Sequence, residues 1–206
     1  MSTSRPFSYN TGSTITVPTA PLTAISGTQI LTCQSNRFID NSSANATFTT
    51  ANSYVQAFSP FAPQYQYTSS VTGGSYYGDG SGDGIWFQDT TQSGTSSSFN
   101  LGASNNASVD HWWYPTAAQN AAGFSKQVYS PTDWAGQIWY ETYLYDSGNI
   151  DLFYRSGANY ALLNAALPAN YLNQWNHVAL VRTGGNLHKI FINGVADSQT
   201  ATFSYK

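Results

Sequence analysis

The chain has 206 residues, 41% hydrophobic and 16% aromatic, but only 8% charged, with a formal net charge of −3. That length and apolar content suit one large all-β domain, and with charge far below the usual ~25% the polar surface must come from Ser, Thr, Asn, Gln and Gly. The seven Lys and Arg are scattered, which excludes a phosphate-binding stripe and so nucleic acid, and the lone Cys33 excludes a disulfide framework or a Cys-rich zinc site.

The opening MSTSRPFSYN has no charged leader followed by an apolar stretch and reads as no secretory signal. No segment reaches the ~18 apolar residues of a membrane helix, so no membrane insertion is expected. Residues 1–26 are rich in Ser, Thr and Pro, and Pro6, Pro18 and Pro21 forbid a central strand there. They read as an extended arm or linker, with one domain over residues 27–206. The alternation in TQILTCQS predicts a strand over residues 28–35, in which Cys33 would be a small buried hydrophobe. DNSSANATFTT then reads as a turn leading into another strand, and AFSPFAPQYQY, with two prolines, as a loop or edge. The Asn-x-Ser/Thr triplets at Asn41, Asn45 and Asn106 read as chance in so Asn- and Ser-rich a chain.

Further along, SVDHWWYPT, GQIWYETYLY and NIDLFYRS predict strands, the last two joined by a turn at Asp146, Ser147 and Gly148. WNHVALVRT, a turn at Gly184 and Gly185, and NLHKIFI follow. Asn193 and Gly194 then form a turn of the type that needs positive φ at both central positions. In QIWYETYLY one face carries Ile138, Tyr140, Thr142 and Leu144, and the other Trp139, Glu141, Tyr143 and Tyr145. Both faces being aromatic, one belongs to a core and the other to a concave surface. No window keeps apolar residues at helical spacing, so the fold expected is an all-β, two-sheet antiparallel sandwich of jelly-roll type.

The block YLNQWNHVALVRTGGNLHKIFINGV, residues 171–195, resembles the signature hairpin of the laminin-G-like, concanavalin A-like lectin/glucanase domain. SYYGDGSGDGIWF is similar to that family's aromatic-Asp-Gly turn, and SVDHWWYPT to its Trp-containing central strand. TQILTCQSNRFIDNSS, VQAFSPFAP and SRPFSYNTGS are similar to segments of structural proteins of marine bacteriophages. This resemblance implies a phage virion protein whose sandwich serves assembly and attachment. The family usually continues past the Asn-Gly hairpin through a further strand, whereas here only ATFSYK remains. The expected consequence is a sheet edge that must be covered, by the arm around residues 14–17 or by a strand of a neighbouring chain.

Glycoside hydrolysis needs two suitably spaced carboxylates. Glu141 is the sole glutamate, Asp151 lies across a turn from it, and the Glu-x-Asp-x-x-Glu pattern of the related glucanases is absent, so no enzyme is expected. No serine stands in a nucleophile elbow, and His177 reads as structural. In DGSGDGIWFQDT, Asp79, Ser81 and Asp83 alternate, with Asp89 further on, a spacing that lets a tight loop point several oxygens at one calcium ion. A plain Gly-rich turn is the more ordinary reading, and no other cofactor is expected. Sugars dock by stacking on Trp or Tyr while amides and carboxylates bond their hydroxyls. Trp134, Trp139, Tyr143 and Tyr145, with Asp133 and Asn149, offer that chemistry, while Trp112 and Trp175 read as core. The leading expectation is a virion structural protein made without a signal peptide, with other virion subunits and copies of itself as partners. The alternative is a module that recognises host surface glycans.

Overall fold

The computed structural model describes residues 12–35, 37–61, 73–86, 106–118, 120–127, 138–144, 148–156, 159–183 and 187–202. Among them every regular element is a strand and every pairing is antiparallel. The chain sorts into two compact units, Met1–Pro6 with Pro18–Asn100, and Phe7–Val17 with Leu101–Lys206.

The first unit contains two short ladders. β1 (Thr49–Ala51) pairs with β4 (Gly84–Trp86), and β2 (Tyr54–Gln56) with β3 (Ser75–Tyr77). The strand expected over residues 28–35 does not form. Its backbone instead wraps a carboxylate: Asp40 Oδ1 accepts the N–H groups of Leu31 at 3.0 Å and Ser42 at 2.9 Å, and Oδ2 accepts the Ser42 hydroxyl at 2.9 Å and the Ala46 N–H at 2.8 Å. A buried carboxylate needs such donors, and here it takes the Leu31 N–H that a ladder would have used. Cys33 sits at φ 62, outside any strand geometry, and its carbonyl accepts the Gly74 N–H at 2.7 Å. Burial pushes its thiol pKa up to about 11.

The second unit holds two sheets. In one, β5 (Ala107–Trp113), β10 (Asn176–Thr183), β11 (Leu187–Ile192) and β12 (Val195–Ala196) lie in the order β12-β11-β10-β5, and β13 (Ala201–Thr202) also pairs with β11. In the other, β6 (Ala121–Gln127), β7 (Ile138–Leu144), β8 (Asn149–Ser156) and β9 (Asn159–Ala166) run in sequence order. Asn193 and Gly194 turn β11 into β12 with φ of 49° and 85°, the positive pair their sequence predicts. β9 lies against β11 and β13, where the two sheets meet.

Ile150, Leu152, Leu163 and Ala165 of the four-stranded sheet and Val178, Leu180, Ile190 and Ile192 of the five-stranded one are all buried. Burying each of these large aliphatic side chains is worth about 1.5–3 kcal/mol. β10 is buried at every position, which requires a cover on both faces. On its second face Ala179 and Val181 cluster with Phe191, and Ile15 and Ala196 pack against them. Ile15 arrives there because residues 13–15 run along β12: Thr14 bridges Val195, the Ile15 N–H donates to the Gly194 carbonyl at 2.8 Å, and the Ala196 N–H donates to the Ser13 carbonyl at 2.8 Å. The sheet edge that sequence expected to need a cover is thus lined by the chain's own N-terminal segment, and β13 adds a further short strand.

Candidate functional site

The alternation that buries Ile150 and Leu152 places Asn149 and Asp151 on the opposite side of the four-stranded sheet. Cross-strand register fixes their neighbours. Tyr143 stands opposite Asp151, and Asp151 opposite Asn164, so three residues form one row across β7, β8 and β9. Four pairs along the ladder, Trp139, Arg155 and Tyr160 are register partners in a second row.

In the first row the Asn164 side-chain amide donates to Asp151 Oδ1. Asp151 is only 5% exposed, and burial raises its pKa above the ordinary 3.8, while the amide's hydrogen bond pulls the other way. Asn164 is itself held at the sheet, its backbone N–H donating to Gln199 Oε1 at 3.4 Å. Such a row joins a buried carboxyl to a half-buried amide beside an aromatic position.

The start of β8 is held from below. Gly148 sits at φ 78, and a Cβ there would lie 2.8 Å from Tyr171 Cε1. The Gly148 carbonyl accepts the Leu167 N–H at 2.9 Å, and the Tyr171 carbonyl accepts from Asn176 Nδ2 at 2.9 Å. Tyr171 is buried, so Gly148, just before Asn149, is seated on a packed ring.

Of the residues that sequence pointed to for sugar binding, Trp139 and Tyr143 share a sheet face by register with Asp151, and Asn149 lies two residues before it on the same strand. Trp134, Asp133 and Tyr145 lie outside the described residues. Sequence reasoning missed Asn164, because NYALLNAA lacks the β-branched residues that mark a strand, yet it forms β9. It weighed Asp151 only as a distant companion of Glu141. Register shows them closer: Glu141 pairs with Phe153, so Asp151 is its diagonal neighbour across the ladder.

The acidic turn has a different character. The Gly80 and Ser81 N–H groups donate to Asp83 Oδ2 at 2.6 and 3.3 Å, and the Ser81 N–H also reaches Asp79 Oδ1 at 2.9 Å. Gly80 and Gly82 take positive φ, as a tight turn requires. These carboxylates satisfy the loop's own backbone, and among the described residues no group of three or more His, Cys, Asp or Glu is placed to hold a metal ion. Asp89 lies outside the described residues.

On the five-stranded sheet His177 Nε2 lies 3.4 Å from Asp110 Oδ1, with the Trp112 ring 5.1 Å from the imidazole. His177 is fully buried, in keeping with a structural role. Trp112 and Trp175 are half-buried, and Tyr114 packs on Trp175 at 5.3 Å.

A laminin-G-type family model, described as the concanavalin A-like lectin/glucanases superfamily, matches residues 87–205, a stretch that contains β5 to β13. Among solved structures the chain is similar to the crystal structure of an HCR/D mutant, at 15% identity and a TM-score of 0.49, over 82% of this chain and 36% of that one. It is also similar to the receptor binding domain of botulinum neurotoxin mosaic serotype C/D, at 13% identity and a TM-score of 0.46, over 88% of this chain and 37% of that one. The chain thus spans little more than a third of the length of either. No curated protein matches it.

Proposed function

Because this chain belongs to the concanavalin A-like lectin/glucanases superfamily, we propose that its sandwich is a carbohydrate-binding module and that the sheet face built by β7, β8 and β9 is where a glycan docks. The observation that carries this reading is the row Tyr143–Asp151–Asn164, with Trp139 four pairs along the same ladder. Aromatic positions suit the apolar face of a sugar, and the half-buried Asn164 amide, oriented by the Asp151 carboxyl beneath it, suits its hydroxyls. The module binds and does not catalyse, although Glu141 and Asp151 are diagonal neighbours. Incubation of the protein with a bound polysaccharide should release no reducing sugar, and Glu141→Gln should not change that.

A glycan array carrying bacterial surface polysaccharides tests the reading. Saturable binding that falls with Trp139→Ala and with Asp151→Ala supports it, and silence across the array refutes it.

A second reading concerns where the module works: a bacteriophage virion, with other virion subunits and further copies of the chain as partners. It is favoured by the 8% charge, a surface whose solubility comes from neutral polar groups. Mass spectrometry of purified particles tests it, and absence of the protein from them removes it. Calcium at Asp79, Ser81, Asp83 and Asp89 has weaker support, since the first and third of these serve the turn. Calorimetric titration in EDTA-stripped buffer with no heat would exclude it.

A further inference from the structure

We propose that Tyr54 and Tyr77, paired across the β2–β3 ladder, form a second platform for neutral sugar rings, outside the stretch that matches the family. The two residues stand directly opposite each other, and their rings stack with centroids 5.0 Å apart and planes at 30°. The stack does not hide them: Tyr54 is 54% and Tyr77 38% exposed. Tyr76, next to Tyr77 and paired with Val55, is 39% exposed but has other contacts, its ring 6.0 Å from Phe38 and its hydroxyl 3.5 Å from Ser53 Oγ. Tyr54 and Tyr77 have only each other's rings among the described residues.

The flanks of the pair are polar. Asn52 precedes Tyr54 by two residues and Asp79 follows Tyr77 by two, and both are exposed. The Asn52 amide nitrogen lies 3.6 Å from where a Cβ on Gly82 would stand, so the amide and the Asp79 turn edge one patch. Asp79 gives one carboxylate oxygen to the Ser81 N–H, and a carboxylate has a second to offer a hydroxyl. An aromatic surface edged by an amide and a carboxylate fits a ring with an apolar face and a rim of hydroxyls. A purely apolar protein partner would leave those edge groups unpaired.

Charge selects the class of sugar. Between residues 18 and 100 the only Lys or Arg is Arg37, against Asp40, Asp79, Asp83 and Asp89. A sulfated or sialylated glycan would meet carboxylates there with little to compensate them, so the ligand is neutral.

The full chain is titrated with cellohexaose, maltohexaose, laminarihexaose and chitohexaose while tyrosine ring resonances are followed by NMR. At least one hexaose should shift the Tyr54 and Tyr77 rings saturably. Tyr54→Ala and Tyr77→Ala should each weaken that ligand roughly tenfold, the loss expected for one stacking ring, with the melting temperature held, while Tyr54→Phe should bind as the parent does. The shifts should persist in Asp151→Ala, which reports on the other sheet face. The proposal is overturned if no hexaose moves the two rings, if folded Tyr54→Ala binds unchanged, or if sulfated or sialylated oligosaccharides bind more tightly. Binding lost in Trp139→Ala and untouched by the tyrosine variants would also overturn it, while leaving the β7–β9 reading standing.

Discussion

Gly194 lies so close beneath the N-terminal segment that a Cβ on it would stand 2.9 Å from the Ile15 carbonyl oxygen and 2.9 Å from Val17 Cγ2. Its φ of 85° is itself a conformation that L side chains rarely adopt. Gly194→Ala therefore meets two penalties, backbone strain and displacement of residues 13–17 from β12. A loss of about 1–3 kcal/mol is expected from strain and lost packing together, read by urea denaturation. Limited proteolysis should cut the displaced segment faster than in the parent, and Ile15→Asp, which removes the apolar plug on Ala179, Val181 and Phe191, should give the same cleavage pattern.

Gly148→Ala tests how the candidate glycan face is seated. A methyl group there meets the Tyr171 ring at 2.8–3.4 Å, and Tyr171 is buried with little room to retreat. The variant should lose about 1–3 kcal/mol, the usual cost of overpacking, and glycan binding on the β7–β9 face should weaken with it. Gly148→Ala combined with Tyr171→Leu should recover part of the stability in thermal melts.

How far these relations are legible in the sequence depends on where each element gets its definition. β5, β7, β8, β10 and β11 carry their own alternation and β-branched or aromatic residues, and all five stand where the pattern predicts them. The turn at Asn193 and Gly194 is equally local. β9 is not, since Ala161, Ala165 and Ala166 are strand residues only because β8 offers a partner, and Asn164 became visible as a site residue only through that pairing. Residues 28–35 failed in the opposite sense: their alternation is real, but Asp40, nine residues from Leu31, takes the Leu31 N–H, and Cys33 turns the backbone to φ 62. No periodicity reports a carboxylate at that distance.

Asp40 supplies the next prediction. Four hydrogen bonds from Leu31, Ser42 and Ala46 converge on its buried carboxylate. Asp40→Ala leaves three backbone N–H groups without their acceptor, and about 2–4 kcal/mol should be lost. Asp40→Asn keeps the size but replaces one acceptor oxygen with a donor, so it too should destabilise, by less than the alanine variant. Hydrogen exchange at Leu31, Ser42 and Ala46 should accelerate in both.

His111 contributes to the pH dependence of the sandwich. Burial, and then the nearby His177, lower its pKa from 6.5 to about 4, while Asp110 opposes them. Above pH 6.5 the imidazole is neutral in folded and unfolded chains alike, and it costs nothing. Below that the unfolded chain takes up a proton that the folded one refuses, so stability falls with pH through the window from 6.5 down to about 4, where the folded state begins to bind the proton too. The slope within the window is about 1.4 kcal/mol per pH unit at most. Asp151 works in the other sense: its raised pKa gives a contribution that is full below the unfolded value and is lost as pH rises through the folded one. His111→Leu should therefore flatten the decline in stability between pH 6.5 and 4, followed by urea denaturation at half-unit steps. A variant as acid-sensitive as the parent would assign the decline to other groups.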